Sequence, residues 1–149
     1  GFEHTGYFNR KYIPRKRSSA AQQDFNLTNP NNYRSIRFAD VLLMAAEAFN
    51  RSASPNDGKA QSYLNRVRQR AFGDMLHDLN STGSNLTENI YQERRVELAG
   101  EGHRFFDLVR TGRAAQEIDG FITDKHELFP IPEIERQLTG NRWSQNPGY

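Results

Sequence analysis

Apolar side chains cover two adjacent faces of a predicted helix over residues 34–50, and this pattern constrains the fold most strongly. The helical spacing of about 3.6 residues per turn places them in two neighbouring stripes. The stripes are Phe38, Leu42, Ala45 and Phe49, and beside them Ala39, Leu43 and Ala46. A helix that is apolar over so wide an arc must be packed on more than one side. The fold is therefore expected to be mainly α, with further elements covering this helix.

A second helix is predicted over residues 59–72, after a turn at residues 54–58. Asp57 is its expected N-cap, and Gly73 can supply the left-handed residue after its C-terminus. Its apolar residues recur at helical spacing, and they are Ala60, Leu64, Val67 and Ala71. Two helices joined by a short turn predict an antiparallel hairpin over residues 34–73.

Two further helices are predicted within residues 86–112. Thr87 is the expected N-cap of the first, which should end at Ala99. The second should run over residues 104–111 and end at Gly112. Long irregular loops and little β-structure are expected elsewhere.

Length and composition are compatible with one folded domain, but they provide few apolar residues for its core. A chain of 149 residues has the size of one ordinary domain, and 11% aromatic residues argue against disorder, although only 36% are apolar. Residues 1–33 are predicted to be a loop or extended lead-in, and residues 113–149 a Pro-containing tail. Without Cys there is no disulfide, thiol nucleophile or Cys-ligated zinc. The chain starts at Gly1, so we expect a processed form or a piece of something larger.

Charged residues occupy the face on which the third helix should pack. Arg94 and Glu97 lie three residues apart on a face that also carries Ile90 and Leu98. A buried ion is very costly unless it is paired and hydrogen-bonded. The pattern therefore predicts a structural ion-pair network.

Two chemical alternatives exist for the same run. Glu93, Glu97 and Glu101 recur every four residues and could hold a cation. His103 and Asp107 could be two metal ligands, or a general base and the group that orients it. We prefer the structural network and expect no metal, no cofactor and no catalytic residue.

The N-terminal residues are basic. Residues 1–17 contain five Lys and Arg against one Glu, so their net charge is +4. Residues 10–17 could contact nucleic acid or an anionic surface. No recognised nucleic-acid module follows, so a solvated strand and loop is the preferred interpretation and no nucleic-acid partner is expected.

Three groups of residues together resemble one family, the SusD/RagB outer-membrane nutrient-binding proteins of Bacteroidetes. They are residues 37–48, residues 93–110 with Glu-Arg-Arg followed by Glu-Gly-His-Arg-Phe-Phe-Asp, and the Leu-Phe-Pro-Ile-Pro and Asn-Pro-Gly-Tyr segments at 128–132 and 146–149. The chain resembles the C-terminal portion of such a protein over nearly its whole length. It departs at Gly100, where the family often has an aromatic residue, so one packing contact is expected to be weaker.

The resemblance implies a fold and a function. The fold is a fragment of a SusD-like α-α superhelix, with residues 34–73 as a tetratricopeptide-like hairpin. The function is non-enzymatic capture of glycans or other nutrients at the cell surface by a lipid-anchored outer-membrane protein. The implied partners are a SusC-like TonB-dependent transporter and the remainder of a longer chain. The alternative is a tetratricopeptide-like protein–protein interaction module.

The resemblance also sorts the candidate residues. It places most ligand contacts of the family upstream of this portion. Tyr7, Tyr33 and Trp143 are aromatic residues in predicted loops, and they are candidates either for sugar contact or for packing. A structural signature is carried over at Glu93, Arg94, Arg95, Glu97, His103, Arg104 and Asp107.

Overall fold

The computed structural model describes residues 9–12 and 33–149. Tyr7 and most of the predicted lead-in and basic run lie outside the described residues. The described part is helical and contains no β-strand, which confirms the mainly α prediction. The helices are α1 (Phe38–Arg51), α2 (Asp57–Phe72), α3 (Gly83–Glu97), α4 (Arg104–Arg110), α5 (Ala114–Glu117) and α6 (Glu133–Leu138). The chain divides into two compact units, one ending at Glu101 and the other comprising Gly102–Tyr149.

Helices α1 and α2 form the predicted hairpin, and α3 packs on both of them. Their apolar stripes meet in one core, because each stripe recurs once per helical turn. The aromatic rings of Phe49 and Tyr63 stack at its edge, 5.7 Å apart. The buried members of this core are Leu42, Leu43, Ala46, Ala60, Leu64, Val67, Leu86 and Ile90.

Helix α1 begins at Phe38, four residues later than predicted. The preceding residue, Arg37, has an extended backbone (φ −117°, ψ 157°). Its guanidinium donates to Glu97 and Glu101, which lie 60 and 64 residues away in sequence. The first turn expected from sequence is therefore replaced by an extended segment whose Arg37 side chain makes tertiary contacts.

The prediction of Asp57 as the N-cap of α2 is wrong. Asn56 holds that position, and its side-chain oxygen accepts from the Lys59 N–H. Asp57 instead accepts from the backbone N–H of Gly83, the first residue of α3, at 2.7 Å. A carboxylate of one helix thus satisfies an orphan donor at the start of another. Gly73 ends α2 in the left-handed conformation (φ 82°), as predicted.

The prediction of Thr87 as the N-cap of α3 is also wrong, because the helix starts one turn earlier at Gly83. The Thr87 hydroxyl lies inside the helix and donates to the side chain of Asn50, at 2.5 Å. Asn50 in turn donates to Asp57 and to the Gly83 carbonyl. This part-buried polar network, centred on the buried Asn50, links α1, α2 and α3 where they meet.

The second unit joins the two motifs near the C-terminus. The backbone N–H and carbonyl of Ile131 both bond the Gln145 side chain, at 2.8 and 2.9 Å. The Asn146 side chain donates to the Phe129 carbonyl, and the Tyr149 hydroxyl donates to that of Leu128. The Asn-Pro-Gly-Tyr ending therefore holds the Leu-Phe-Pro-Ile-Pro segment in place. This contact gives a physical reason for the two motifs to occur together.

Candidate functional site

Two ion pairs connect α3 to the hairpin. Arg94 donates to Asp40 of α1 at 2.7 Å, and both side chains are buried. Glu93 accepts from Arg68 of α2 at 2.6 Å. These two charged residues on the packing face of α3 are therefore paired across the core.

Glu101 is the centre of a second, denser cluster. Its two oxygens accept from Arg37, at 2.6 and 2.8 Å, and from the Lys11 ammonium at 2.5 Å. The hydrogen bond from Arg37, reinforced by Lys11, lowers the pKa of Glu101 to about 2 despite its burial. The same bond raises the pKa of Arg37. Glu101 therefore remains ionised in the folded protein at every physiological pH.

Lys11 also satisfies the end of α3. Its ammonium donates to the backbone carbonyls of Glu97 and Ala99, at 2.6 and 2.9 Å. These carbonyls lie at a helix C-terminus, where a cation is favoured by the helix dipole. All three donors of Lys11 are thus used, and residues 9–12 are anchored to the exit of α3.

Gly100 is the residue that allows this approach. It has φ +76°, and a Cβ atom built on it would lie 2.0 Å from the Asn9 side-chain nitrogen. A side chain at this position would collide with Asn9 and would also strain the backbone. The departure at Gly100 therefore coincides with a close contact to the N-terminal segment.

These residues border a cavity of about 270 Å³, here called the Glu101 pocket. The carboxylates lie deepest, since the side chains of Glu101 and Glu97 are 2% and 12% exposed. The cations lie nearer solvent, with Arg70 61% exposed and paired to Glu97. The full lining is Lys11, Tyr12, Arg34, Arg37, Arg70, Glu97 and Glu101. The pocket therefore has a cationic rim over an anionic floor, and it has two more positive than negative groups.

The three glutamates proposed as a cation site bind different arginine and lysine partners. Glu93 pairs with Arg68, whereas Glu97 and Glu101 share Arg37. In the described part of the chain, no group of three His, Asp or Glu side chains could hold a metal ion. The carboxylates serve as ion-pair partners in this structure.

The rest of the signature belongs to the second unit or to the surface. Asp107 pairs with Arg110 at 2.8 Å, and Arg104 pairs with Glu117. His103 is the residue before α4, and its side chain does not cap that helix. Arg95 is exposed on α3. The structural role assigned to these residues stays a prediction.

The aromatic candidates are in separate places. Tyr33 is 68% exposed, and its ring stacks on that of Tyr12, with centroids 6.1 Å apart and planes 17° apart. Tyr12 lines the Glu101 pocket, so this pair adjoins it. Trp143 is 53% exposed in the second unit. Tyr7 lies outside the described residues.

A second cavity, of about 320 Å³, lies in the second unit. Its walls are mainly aromatic, because the Phe105 ring lies 6.4 Å from that of Phe121 and 6.1 Å from that of Phe129. Tyr149 and His126 complete this wall. We call it the Phe105 pocket.

The groups that pair with the α3 charges could not be predicted from the sequence. Arg37, Lys11 and Arg68 are distant in sequence from the carboxylates they contact. Asp40 was the one local signal, because a carboxylate among the apolar stripes of α1 requires a buried cation.

Comparison with known proteins places the chain in a family. The SusD family model matches residues 1–127. The chain belongs to the SusD family. It is 48% identical over 117 residues to the SusD-like protein P25 of Formosa agariphila and 35% identical over 133 residues to the SusD-like protein P2 of the same bacterium. These matches cover 69% and 79% of this chain, but only 21% and 26% of the relatives.

A solved SusD homologue has the same fold. The crystal structure of a SusD homologue from Bacteroides thetaiotaomicron matches 80% of this chain with a TM-score of 0.69 and 33% sequence identity. The match covers 26% of that chain. The likeness confirms the SusD-like helical fold. Within residues 9–12 and 33–149, no helix has the length and apolarity that a membrane crossing requires.

Proposed function

We propose that this SusD-family chain serves the capture of glycans or other nutrients at the cell surface. The captured nutrient is delivered to a SusC-like TonB-dependent transporter of the outer membrane, to which the full-length protein is lipid-anchored. The family match over residues 1–127 carries the proposal. Capture needs no chemistry, and the protein acts without a cofactor and not as an enzyme.

The structure supports a binding role through its charged groups. The carboxylates Glu93, Glu97 and Glu101 are all engaged by arginine or lysine. Arg37 and Lys11 hold the pKa of Glu101 at about 2, so this carboxylate is a poor proton donor or acceptor near neutral pH. These groups build the scaffold, and an exposed aromatic pair such as Tyr33 with Tyr12 offers flat apolar surface for a sugar face.

This chain is proposed to be the largely structural C-terminal portion of a SusD-like domain. It spans between about a fifth and a quarter of the length of the relatives it matches. Its parts are the lead-in at 1–33, the hairpin at 34–73, the two helices within 86–112 and the tail at 113–149. Exposed apolar side chains on α1 fit this arrangement, since Phe38, Val41 and Met44 are 64%, 43% and 45% exposed.

The test is a glycan panel against the full-length protein, read by isothermal titration calorimetry. Saturable binding of at least one polysaccharide, with no release of reducing ends on prolonged incubation, supports non-enzymatic capture. Affinity purification of the full-length protein from outer membranes should recover a TonB-dependent transporter. Absence of binding to every polysaccharide and nutrient tested, together with absence of the transporter, would contradict the proposal.

The exposed α1 face favours a second candidate, a tetratricopeptide-like protein-interaction module. Such a module would bind a partner helix on this face. It predicts that Met44→Glu in the full-length protein abolishes association with a protein partner while the protein stays folded. If Met44→Glu instead unfolds the full-length protein, the face is internal packing and the capture proposal is preferred.

A further inference from the structure

The Glu101 pocket contains two arginines whose hydrogen-bonding capacity is not used up. All three nitrogens of the Arg37 guanidinium donate to Glu97 or Glu101, and the Lys11 ammonium has three acceptors. Arg70 makes one described ion pair, between Nη2 and Glu97 Oε1 at 2.6 Å. Arg34 is exposed and has no hydrogen-bond or ion-pair partner among the described residues.

The position of these two arginines matters because both line the same cavity. The floor carboxylates are already neutralised by Arg37 and Lys11, so the charge that remains open to a ligand is positive. An arginine guanidinium presents a planar fork of N–H donors that matches a carboxylate or a similar oxyanion. A cationic ligand would be repelled by this rim, whereas an anionic ligand would accept hydrogen bonds from the unused donors of the two arginines.

Size and surroundings narrow the ligand further. A volume of about 270 Å³ equals the share of about nine waters at ~30 Å³ each, which suits one sugar ring with its charged substituent rather than a polymer segment. The stacked Tyr12–Tyr33 pair adjoins the cationic rim, and Tyr33 is open to solvent. An acidic saccharide matches both features. Its apolar C–H face can stack on the aromatic ring, and its anionic group can accept hydrogen bonds from the arginines.

We propose that the Glu101 pocket binds the carboxylate or sulfate group of an acidic saccharide, with Arg34 and Arg70 as its direct ligands. The Tyr12–Tyr33 pair is the stacking surface for the same sugar. The inference rests on the proposed glycan capture and names its substrate class. Arg37 and Lys11 position the pocket through Glu101 and do not contact the ligand.

Calorimetry on the full-length protein tests this with three tetrasaccharides of one length, made of galacturonic acid, of sulfated galactose and of neutral galactose. At least one acidic tetrasaccharide should bind about tenfold tighter than the neutral one, and added salt should reduce the difference. The two acidic probes distinguish a carboxylate from a sulfate ligand. Free galacturonate and inorganic sulfate, titrated separately, should bind more weakly than the matching tetrasaccharide.

Variants locate the site. Arg34→Ala and Arg70→Ala should each remove most of the preference for the acidic probe, a loss of about tenfold. Arg34→Lys should retain only part of that preference, because lysine lacks the planar fork of N–H donors. Arg66→Ala is the matched control, since Arg66 is an exposed arginine of α2 that does not line the pocket. Melting curves should show that all four variants fold.

Three results would overturn the inference. The first is equal affinity for acidic and neutral tetrasaccharides, and the second is an acidic preference that survives both Arg34→Ala and Arg70→Ala. In these cases binding of the neutral probe still supports glycan capture. The third is absence of binding to all three probes, and if the wider glycan panel is also negative, the proposed function fails with it.

Discussion

Arg94 donates from Nη1 to Asp40 Oδ1 at 2.7 Å, and both side chains are only 6% exposed. Replacing one partner leaves a buried charge without its ion pair, so Asp40→Ala should cost about 3–5 kcal/mol of unfolding free energy. The double replacement Asp40→Leu with Arg94→Met should cost less, because both charges are removed together. Urea unfolding of the wild type, Asp40→Leu, Arg94→Met and the double variant completes the cycle and measures the coupling.

An exposed pair provides the control for this cycle. Arg70 contacts Glu97 but is 61% exposed, so Arg70→Ala should change the unfolding free energy by about 1 kcal/mol or less. If Asp40→Ala costs no more than Arg70→Ala, the buried pair does not stabilise the fold as argued.

Acid should weaken the first unit through Glu101. Its pKa is lowered to about 2 in the folded protein from an ordinary value of 4.5, mainly by the hydrogen bond from Arg37. A depressed folded pKa means that the unfolded chain binds the proton first as pH falls. The stabilisation, on the order of 3 kcal/mol at neutral pH, is therefore fully present above about pH 5 and is lost between about pH 5 and pH 2.

Glu101→Gln isolates this contribution. The variant should be less stable than the wild type at pH 7, and the difference should shrink as pH falls toward 2. Chemical denaturation at a series of pH values gives both curves. A constant difference across that range would show that the ionisation of Glu101 is not linked to folding.

The helices could be predicted from sequence because their apolar periodicity is a local signal. Leu43 and Leu64 are both fully buried where that period places them. The helix starts could not be predicted as well, because tertiary contacts decide them. Asp57 has the local appearance of a cap for α2 but bonds the first N–H of α3. The sequence of residues 54–58 contains no local signal that Asp57 will bond Gly83.

The charged cluster shows the same division. The density of charge on α3 indicates ion pairing, since buried ions need partners. The partners are distant in sequence, since Lys11 lies 90 residues before Glu101. No helical spacing connects these residues, so the Glu101 pocket could not be assembled from sequence. Tyr33 was a candidate as an isolated loop aromatic, and only its stacking on Tyr12 brings it beside that pocket.

Substitution of Gly100 should displace the Asn9 side chain. Gly100→Ala places a Cβ 2.0 Å from the side-chain nitrogen of Asn9. It also places a side chain on a residue with φ +76°, which is a strained conformation for any residue but glycine. Gly102→Ala is the control for the backbone term alone, since Gly102 has φ +83° with nothing within 4 Å of the built Cβ. Both should lose about 1 kcal/mol from the backbone, and Gly100→Ala should lose more.

Asn9→Ala tests the origin of that extra loss. In the Gly100→Ala background it should restore part of the stability, because it removes the colliding group. A double-mutant cycle measured by thermal unfolding gives this interaction directly. Strict additivity of the two substitutions would mean that Asn9 and Gly100 are not in contact.

The outer face of α1 should matter only when more of the protein is present. Met44 and Val41 are 45% and 43% exposed, so Met44→Ser and Val41→Ser should change the stability of the isolated chain by about 0.5 kcal/mol or less. If further helices of a SusD-like superhelix cover this face, the same substitutions should cost more in the full-length protein, about 1–3 kcal/mol each. Leu43→Ala, at a fully buried position of the same helix, should cost about 2–5 kcal/mol in both forms and shows that the assay detects core damage. Equal small effects of Met44→Ser in both forms would mean that the face stays open to solvent, which would favour the interaction-module alternative over internal packing.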